Sequence, residues 1–531
     1  MADRIHITTA IAYSNGPPHI GHAYEFLATD AYARYQRRKL GRGNVTFVTG
    51  TDEHGQKNRD AAAAEKLSPK AFADKISSIF RAADAELGIE YDYFVRTTDP
   101  AHEAFVQEML RRTHERGDIY FKDYEGFYCV GCERFYTEKE LLDGNICPVH
   151  NSVVEMIKEG NYFLKLEKYR ETIRNQIEKQ TDFIRPERYR NEALRMLDEP
   201  LSDLSISRPK ARLDWGIELP FDKNFVTYVW YDAFWAYLSP LTPTGDETLL
   251  KRTLPVTEHF IGKDILKTHA VYWPAMLLAL ELPLFRHLNV HGFLNYAGER
   301  MSKSSGNIVD PLELSQKYGA DVLRYFVLRE FVYGLDGDFT EDRLIDRFNA
   351  DLANDLGNLT SRVLSMAARY FNGEITATPG AGDDPNDGLY YLDLTTDSND
   401  EPIKYQKIHL DWREAVEASI DRLDFKGALD KIWQRISQTN TYIVETSPFT
   451  LAKEPGSLPR VAQILANLVE GLRVIADTLE PFMPLTSKKI LELLNVDEKM
   501  AREPFGKGIR AGHRVKPTTP IFPRIDKKAR A

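Results

Sequence analysis

The sequence predicts an α/β protein: a parallel-sheet domain, split by a small inserted module and followed by an all-helical part. Three observations carry this. An apolar, β-branched stretch at 5–13 runs through a Pro-Pro turn into a helical pattern and then into a second apolar strand, the opening of a parallel α/β unit. All three cysteines fall between Cys129 and Cys147, among aromatics and short polar turns. Beyond Arg343 the apolar residues keep helical spacing. A length of 531 residues suits about three domains at roughly 100–200 residues each.

Residues 5–13 read as a buried strand, and Ser14-Asn15-Gly16-Pro17-Pro18 as the turn after it. A helix is expected from Gly21 to Leu40, with Phe26, Leu27, Ala31 and Tyr35 near one face and Gly41-Arg42-Gly43-Asn44 ending it. A second strand follows at 45–50. From about Gly117 to Tyr162 the character changes to that of an inserted module. Phe225-Val226-Thr227-Tyr228-Val229-Trp230 reads as a strand resuming the α/β pattern. That pattern continues to about Glu330, with strand ends at His259-Phe260-Ile261-Gly262 and His287-Leu288-Asn289-Val290-His291-Gly292. In the helical part Val461, Ile464, Leu465, Leu468, Leu472, Ile475 and Leu479 form one apolar stripe, a plain bundle core. Residues 372–401 are rich in Gly, Asp, Asn and Pro and read as a long loop.

Composition narrows the class. Hydrophobic residues are 43% and charged residues 28%, enough for large packed cores, which excludes disorder as the overall state. No apolar run reaches the ~18 residues of a membrane span. The N-terminus lacks the pattern of a signal peptide, and three cysteines exclude a disulfide scaffold. A cytoplasmic protein is expected. Net charge is −10, which argues against coating nucleic acid through global charge. Residues 499–531 nonetheless carry ten Lys and Arg against Glu503 and Asp526, either a solvated tail or a contact to a polyanion.

Three constellations carry chemistry. Pro18-His19-Ile20-Gly21-His22 places two imidazoles at a helix start, where free N–H groups favour phosphate. Gly21 removes a Cβ where a base or ribose approaches the backbone. Ligands of parallel sheets bind beyond the carboxyl ends of the strands, where this turn lies. Glu299-Arg300-Met301-Ser302-Lys303-Ser304-Ser305-Gly306-Asn307 is a small-residue loop whose Lys303 suits a mobile clamp on a leaving pyrophosphate. Cys129-x2-Cys132-x14-Cys147-x2-His150 forms two chelating hooks with the spacing of tetrahedral zinc. Four protein ligands close such a site to substrate, so one zinc here is structural.

The His-Ile-Gly-His tetrapeptide at His19–His22, paired with Arg300-Met301-Ser302-Lys303-Ser304, resembles the HIGH and KMSKS signatures of class I aminoacyl-tRNA synthetases; Arg300 replaces the usual Lys and keeps its charge. Across nearly its whole length the chain is similar to the methionyl-tRNA synthetases. The matching stretches are Thr8-Thr9-Ala10-Ile11-Ala12-Tyr13, Thr49-Gly50-Thr51-Asp52-Glu53-His54-Gly55, Tyr228-Val229-Trp230-Tyr231-Asp232-Ala233 and Phe260-Ile261-Gly262-Lys263-Asp264-Ile265. Residues 349–358 and Ile521-Phe522-Pro523-Arg524-Ile525 extend the match into the helical part. The zinc pattern resembles the single-zinc, Cys-Cys-Cys-His form, here without the C-terminal oligonucleotide-binding extension of many members.

The resemblance implies a Rossmann-type catalytic domain in two halves, 1–116 and 225–330, around a connective insertion at 117–224 with a zinc knuckle at 129–150. It implies a stem-contact linker at 331–357, an all-α anticodon-binding bundle at 358–525 and a tail at 526–531. The implied reaction joins methionine to ATP as methionyl-adenylate, then to the 3′ end of initiator and elongator methionine tRNA. Catalysis falls to His19, His22 and Lys303. ATP binding falls to His19, Gly21, His22, Gly262, Asp264, Val290, His291, Gly292, Met301 and Lys303. Asp52 takes the methionine ammonium; Ile11, Tyr13, Trp230, Ala233, Tyr237, His269 and Trp273 surround its side chain. Aromatics suit a thioether, and Tyr237 or His269 is expected to offer sulfur a polar contact. Phe234 stands where well-known bacterial members have Pro. Asn358, Arg362 and Phe449, which replaces a common Trp, read the anticodon. Magnesium accompanies ATP, and the enzyme is expected to be a monomer without a membrane partner.

Three rivals are weaker. Synthetases for leucine, isoleucine or valine carry a large editing domain where this chain has a compact knuckle. A small-molecule nucleotidyltransferase lacks the helical C-terminal part. An idle RNA-binding paralogue would not need His19, His22, Lys303 and Asp52 intact.

Overall fold

Strand β1 (Ile5–Thr9) is buried along its whole length, as strands covered on both faces are. In the computed structural model, which describes residues 4–129, 134–136, 138–148, 151–296, 298, 308–380, 405–517 and 520–526, β1 lies at the centre of a seven-stranded sheet. The chain divides into two units, Met1–Phe293 and Leu294–Ala531. The expected boundary at 330 therefore falls inside the second unit.

After β1 come β2 (Ala12–Tyr13), α1 (Ile20–Leu40), β3 (Val45–Asp52), β4 (Tyr93–Arg96), β5 (Ile184–Arg185), β6 (Thr257–Gly262) and β7 (His287–His291). Every pairing is parallel, in the order β2-β3-β1-β6-β7-β5, with β4 also on β3. The strand expected at 5–13 is two pieces. Between them the Ala10 N–H donates to Phe260 O and to Glu25 Oε1, each at 2.9 Å, so the break serves a side chain of α1. The chain leaves β1 toward β3 on one side and reaches β6 on the other. That reversal opens a crevice beyond the carboxyl ends of β1 and β6.

Helix α1 starts at Ile20 and is buried on nearly all sides from Ala23 to Arg37. Its buried charges are matched: Arg34 Nε lies 2.7 Å from Asp30 Oδ2, and Arg37 Nη2 lies 2.8 Å from Asp92 Oδ2. Gly41, at φ 88°, ends it with its N–H on Arg37 O, and Arg37, Arg38 and Lys39 in the last turn suit the helix dipole.

The insertion begins with a long antiparallel hairpin, Ile119–Cys129 against Glu155–Leu164, flanked by Arg134–Tyr136 and Leu204–Ser205. It is not uniform: β5, within the range expected for the insertion, pairs with β7 in the main sheet. The strand expected at 225–230 is corrected in two ways. The observed strand is Asp222–Thr227, and it belongs to a three-stranded antiparallel sheet with Ser207–Pro209 and Glu218–Leu219. Val229–Ala233 is a short helix. The apolar run hides this change because both elements are buried at its junction.

In the second unit, Glu341–Arg347, the π-helical turns Phe348–Gly357 and Asn358–Phe371 follow one another without a break. Helices Tyr405–Asp421, Phe425–Thr446, Leu458–Leu479 and Pro484–Leu493 complete the bundle. Leu458–Leu479 is buried from Val461 on at every position but the half-buried Gln463. The apolar stripe read as core is buried at every named position, and Glu470 and Arg473 beside it form a buried ion pair. The basic C-terminal stretch is folded back as far as 525: His513–Arg514 pairs with Glu374–Ile375, and Ile525 exchanges two hydrogen bonds with the Asn349 side chain, at 2.9 and 3.0 Å. Residues 381–401 of the expected loop and 527–531 of the tail lie outside the described residues. Among the described residues no helix is long and apolar enough to cross a membrane.

Candidate functional site

The two histidines of the first turn cap each other's helix start. His19 is the N-cap of α1, and its Nδ1 accepts the Gly21 N–H at 3.1 Å. His22 Nδ1 accepts the His19 N–H at 3.2 Å, completing a capping box. The rings lie 3.9 Å apart between centroids. With each Nδ1 an acceptor, each neutral ring carries its proton on Nε2. The cap thus selects the tautomer that presents two N–H donors at a helix N-terminus, an arrangement that suits a phosphate. Gly21 also has a reason inside the cap itself. A Cβ there would stand 2.9 Å from His19 Cε1 and Nδ1, so glycine lets the ring fold back onto the first turn.

The other strand ends converge on the same edge. Gly262 closes β6, and Asp264 follows it exposed. Val290 and His291 end β7, with Gly292 next, all buried. His291 Nδ1–H donates to Gly292 O at 2.7 Å, and Nε2 lies 3.0 Å from Glu25 Oε2. Burial opposes charge on both partners. For His291 the carboxylate outweighs burial and holds its pKa above the ordinary imidazole value, whereas burial keeps Glu25 above the ordinary carboxylate value. Both ring nitrogens of His291 are engaged with protein, so it ties the end of β7 to α1 and, through Glu25, to Ala10.

Asp52 ends β3 beside Tyr13 of β2. Its carbonyl accepts from Ser14 N and Oγ, both at 2.9 Å, and from Asn58 Nδ2 at 3.1 Å. The expected side-chain pocket is an aromatic block. Phe234 stacks on Trp273 at 5.4 Å and 12° and meets His269 edge-on at 4.9 Å; Trp230 lies 5.9 Å from Phe234. Ile11 and Ala233 are buried in the same core, with Tyr13 and Trp230 packed against it. Phe234 therefore fills the place of the usual Pro with a wall ring.

The polar atoms here serve each other. His269 Nδ1–H donates to Ile265 O at 3.0 Å, which leaves Nε2 to accept the Tyr237 hydroxyl at 2.7 Å. Burial pushes the His269 pKa down to about 4, so the ring is neutral. Behind them Trp273 Nε1 donates to His259 Nε2 at 3.1 Å, and His259 Nδ1–H to Thr8 Oγ1 at 2.7 Å. The Tyr237 hydroxyl proton is thus shared with His269.

Of the four expected zinc ligands, Cys132 and His150 lie outside the described residues. Cys129 and Cys147 are buried together with Tyr136 and Val154 in a small cluster of their own, with Phe127 and Leu141 against it. Two buried thiols in so small a core fit the soft donors of a closed tetrahedral site. Among the described residues no group of three or more His, Cys, Asp and Glu is set to hold a metal. Met301 and Lys303 also lie outside. Their loop follows Leu294–Tyr296, which pairs with Gly337–Phe339, and precedes the helix Pro311–Tyr318, capped by Asp310.

In the second unit the structure brings Arg362 and Phe449 together, with the guanidinium carbon 5.8 Å from the ring centroid. Phe449 is 38% exposed. Asn358, the first residue of its helix, is exposed four residues before Arg362 and so on the same face.

Glu25, His54, Asp232 and His259 were missed in the sequence. The available signal was a lone polar residue inside a buried apolar stretch, and its meaning depends on distant partners.

The family model for "tRNA synthetases class I (M)" matches residues 5–153 and 139–364. The methionine–tRNA ligase of Caldanaerobacter subterraneus subsp. tengcongensis is 42% identical, over 99% of this chain and 80% of its own. That of Bacillus subtilis is 38% identical, over 98% and 78%. The solved Mycobacterium tuberculosis methionyl-tRNA synthetase in complex with methionyl-adenylate matches with a TM-score of 0.89 at 38% identity, covering 98% of this chain and 100% of that one. Its apo form gives 0.83 at 35%, covering 99% of each. A parallel sheet whose carboxyl edge carries a double-histidine cap, matched by that family model, defines a class I aminoacyl-tRNA synthetase. Identity near 40% over nearly the whole chain narrows the class: the chain belongs to the methionyl-tRNA synthetase family.

Proposed function

We propose that this methionine–tRNA ligase does its chemistry at the His19–His22 cap and selects methionine between Asp52 and the aromatic block. A methionine carboxylate oxygen attacks the ATP α-phosphorus, and the bond to pyrophosphate breaks. A hydroxyl of the terminal tRNA ribose then attacks the carbonyl, and AMP leaves. The observation that carries the assignment is the mutual cap, which fixes two Nε2–H donors beside the crevice at the sheet's reversal. Donors set before the reaction stabilise growing phosphate charge without reorganising. Lys303 meets the charge of the departing pyrophosphate. Asp52 accepts the methionine ammonium; Asp264, exposed at the strand ends, suits the ribose hydroxyls. Gly262, Val290, His291 and Gly292 form the adenosine floor. Magnesium enters with ATP and is held mainly by the phosphates.

The neutral Tyr237–His269 pair supports selection for a thioether. No charge is desolvated against an uncharged side chain, and Phe234, Trp230 and Trp273 offer polarizable faces.

One zinc, held by Cys129, Cys132, Cys147 and His150, stabilises the knuckle. Such sites contribute an apparent ~10–16 kcal/mol to folding of small modules, and reduced thiols accord with a cytoplasmic enzyme. Elemental analysis of the purified protein is expected to give one zinc per chain, and none in the Cys129→Ala/Cys147→Ala variant. Zinc retained by that variant removes the assignment.

Asn358, Arg362 and Phe449 read the anticodon. Arg362→Ala or Asn358→Ala should lower tRNA charging by roughly 5- to 150-fold, the worth of about 1–3 kcal/mol for a lost base contact. Methionine-dependent ATP–pyrophosphate exchange needs no tRNA and should stay near wild type. Phe449→Ala should act in the same direction more mildly. Both assays on the same preparations test this reading: equal losses in the two would mean the residues serve stability, and no loss in charging would mean other residues read the tRNA.

A further inference from the structure

Asp52 and the aromatic wall belong to different elements. Asp52 ends β3, while Trp230 and Ala233 sit on the short helix Val229–Ala233, outside the parallel sheet. A buried pair joins the two. His54, two residues after Asp52, places Nδ1 2.8 Å from Oδ2 of Asp232, which lies between Trp230 and Ala233 in the chain. The His54 side chain is 3% exposed and that of Asp232 0%.

The turn that carries Asp52 and His54 is braced as a unit. Asn58 Nδ2 donates to the carbonyls of both residues, at 3.1 and 3.0 Å. Trp215 Nε1 donates to Glu53 O at 2.6 Å, and Arg96 grips the fully buried Glu53 carboxylate through Nε and Nη2 at 2.7 and 2.8 Å. A shift of His54 therefore carries Asp52 with it. On the far side Asp232 lies in the same five-residue helix as Trp230 and Ala233. A carboxylate so deeply buried is costly unless paired and hydrogen-bonded, so the pair holds one arrangement. Glu103 stands farther off, its Oε1 4.0 Å from His54 Nε2.

We infer that the His54–Asp232 pair is a positioning element for methionine selection: it sets the distance between the carboxylate that takes the α-ammonium and the wall that takes the side chain. The inference rests on the reading of Asp52 given above. An amino acid must satisfy both ends at once, so this distance acts as a ruler for side-chain length and branching. In the reading above ATP is held by the cap and the ends of β6 and β7, elements that carry neither His54 nor Asp232.

The test is steady-state ATP–pyrophosphate exchange on the full chain, with methionine and ATP varied separately. His54→Ala and Asp232→Ala are each expected to raise the methionine KM about tenfold, the scale of a displaced binding group. The ATP KM should stay within about twofold. The double variant should be no worse than the poorer single one, because both remove the same link. His54→Asn keeps a donor near the Nδ1 position and Asp232→Asn keeps an acceptor; both should return to within about threefold of wild type. Should His54→Ala not fold, Asp232→Leu against Asp232→Asn makes the same comparison. Asp52→Ala runs in parallel. If it raises the methionine KM while the alanine variants of the pair leave it unchanged, or move both KM values together, the positioning role is overturned. If Asp52→Ala leaves the methionine KM unchanged, it is the reading of Asp52 that fails.

Discussion

His22→Ala lowers the rate of methionyl-adenylate formation by about 10²–10³-fold, the loss typical of one preorganised donor to transition-state charge, and leaves methionine affinity nearly unchanged. In the function proposed above the residue has two jobs, which the geometry separates. Its Nδ1 accepts the His19 N–H and closes the capping box; its Nε2–H is the donor. Alanine removes both. Glutamine at this third helical position restores a capping acceptor but not an imidazole donor in the same place. His22→Gln should therefore recover most of the thermal stability lost in His22→Ala and little of the rate. Rapid-quench measurement of the adenylate step, beside thermal melts of the three proteins, reads the two jobs independently. A His22→Gln enzyme as fast as wild type would show that the cap alone matters. His19→Ala should act similarly, with the Gly21 N–H losing its acceptor as well.

A large stability effect is expected in the second unit. Arg473→Met should cost about 3–5 kcal/mol, as breaking a buried pair by removing one partner does. Arg473 and Glu470 are both fully buried and joined through Nε and Nη2 at 2.7 and 2.8 Å. The pair also organises the returning chain. Arg473 donates to the carbonyls of Met500, Ala501, Glu503 and Pro504, while Glu470 accepts from the N–H groups of Gly506, Gly508 and Ile509. Replacing both partners with apolar residues often rescues a simple buried pair. Here it should not, because seven backbone groups would lose their partners with it. Gly508 allows the approach: a Cβ there would lie 2.4 Å from Arg473 Nε. Urea unfolding of Arg473→Met and of Arg473→Met/Glu470→Met checks this. A double variant as stable as wild type contradicts it.

What could be read in the sequence follows from how local each signal is. β1, β3, β6, β7 and α1 announce themselves by apolar runs and a glycine stop, because burial on both sides selects their own residues. The two histidines at the start of α1 are legible because they lie three residues apart, whereas their capping contacts are not. The run at 225–230 misled, since a buried strand and a buried one-turn helix have the same composition there. Glu25 pairs with a histidine 266 residues away, and His54 with a carboxylate 178 away. Such residues carry no periodicity that reveals the partner. Glu470 and Arg473 stood visibly on an apolar stripe, but the carbonyls and amides they serve lie 27–39 residues downstream.

The central claim is that one edge of this sheet activates methionine and no other amino acid. ATP–pyrophosphate exchange in the absence of tRNA, run with each standard amino acid in turn, tests it most directly. The account predicts exchange that depends on methionine alone, followed by charging of methionine tRNA when tRNA is supplied. Exchange supported equally by leucine, isoleucine or valine, or none with methionine, would contradict it.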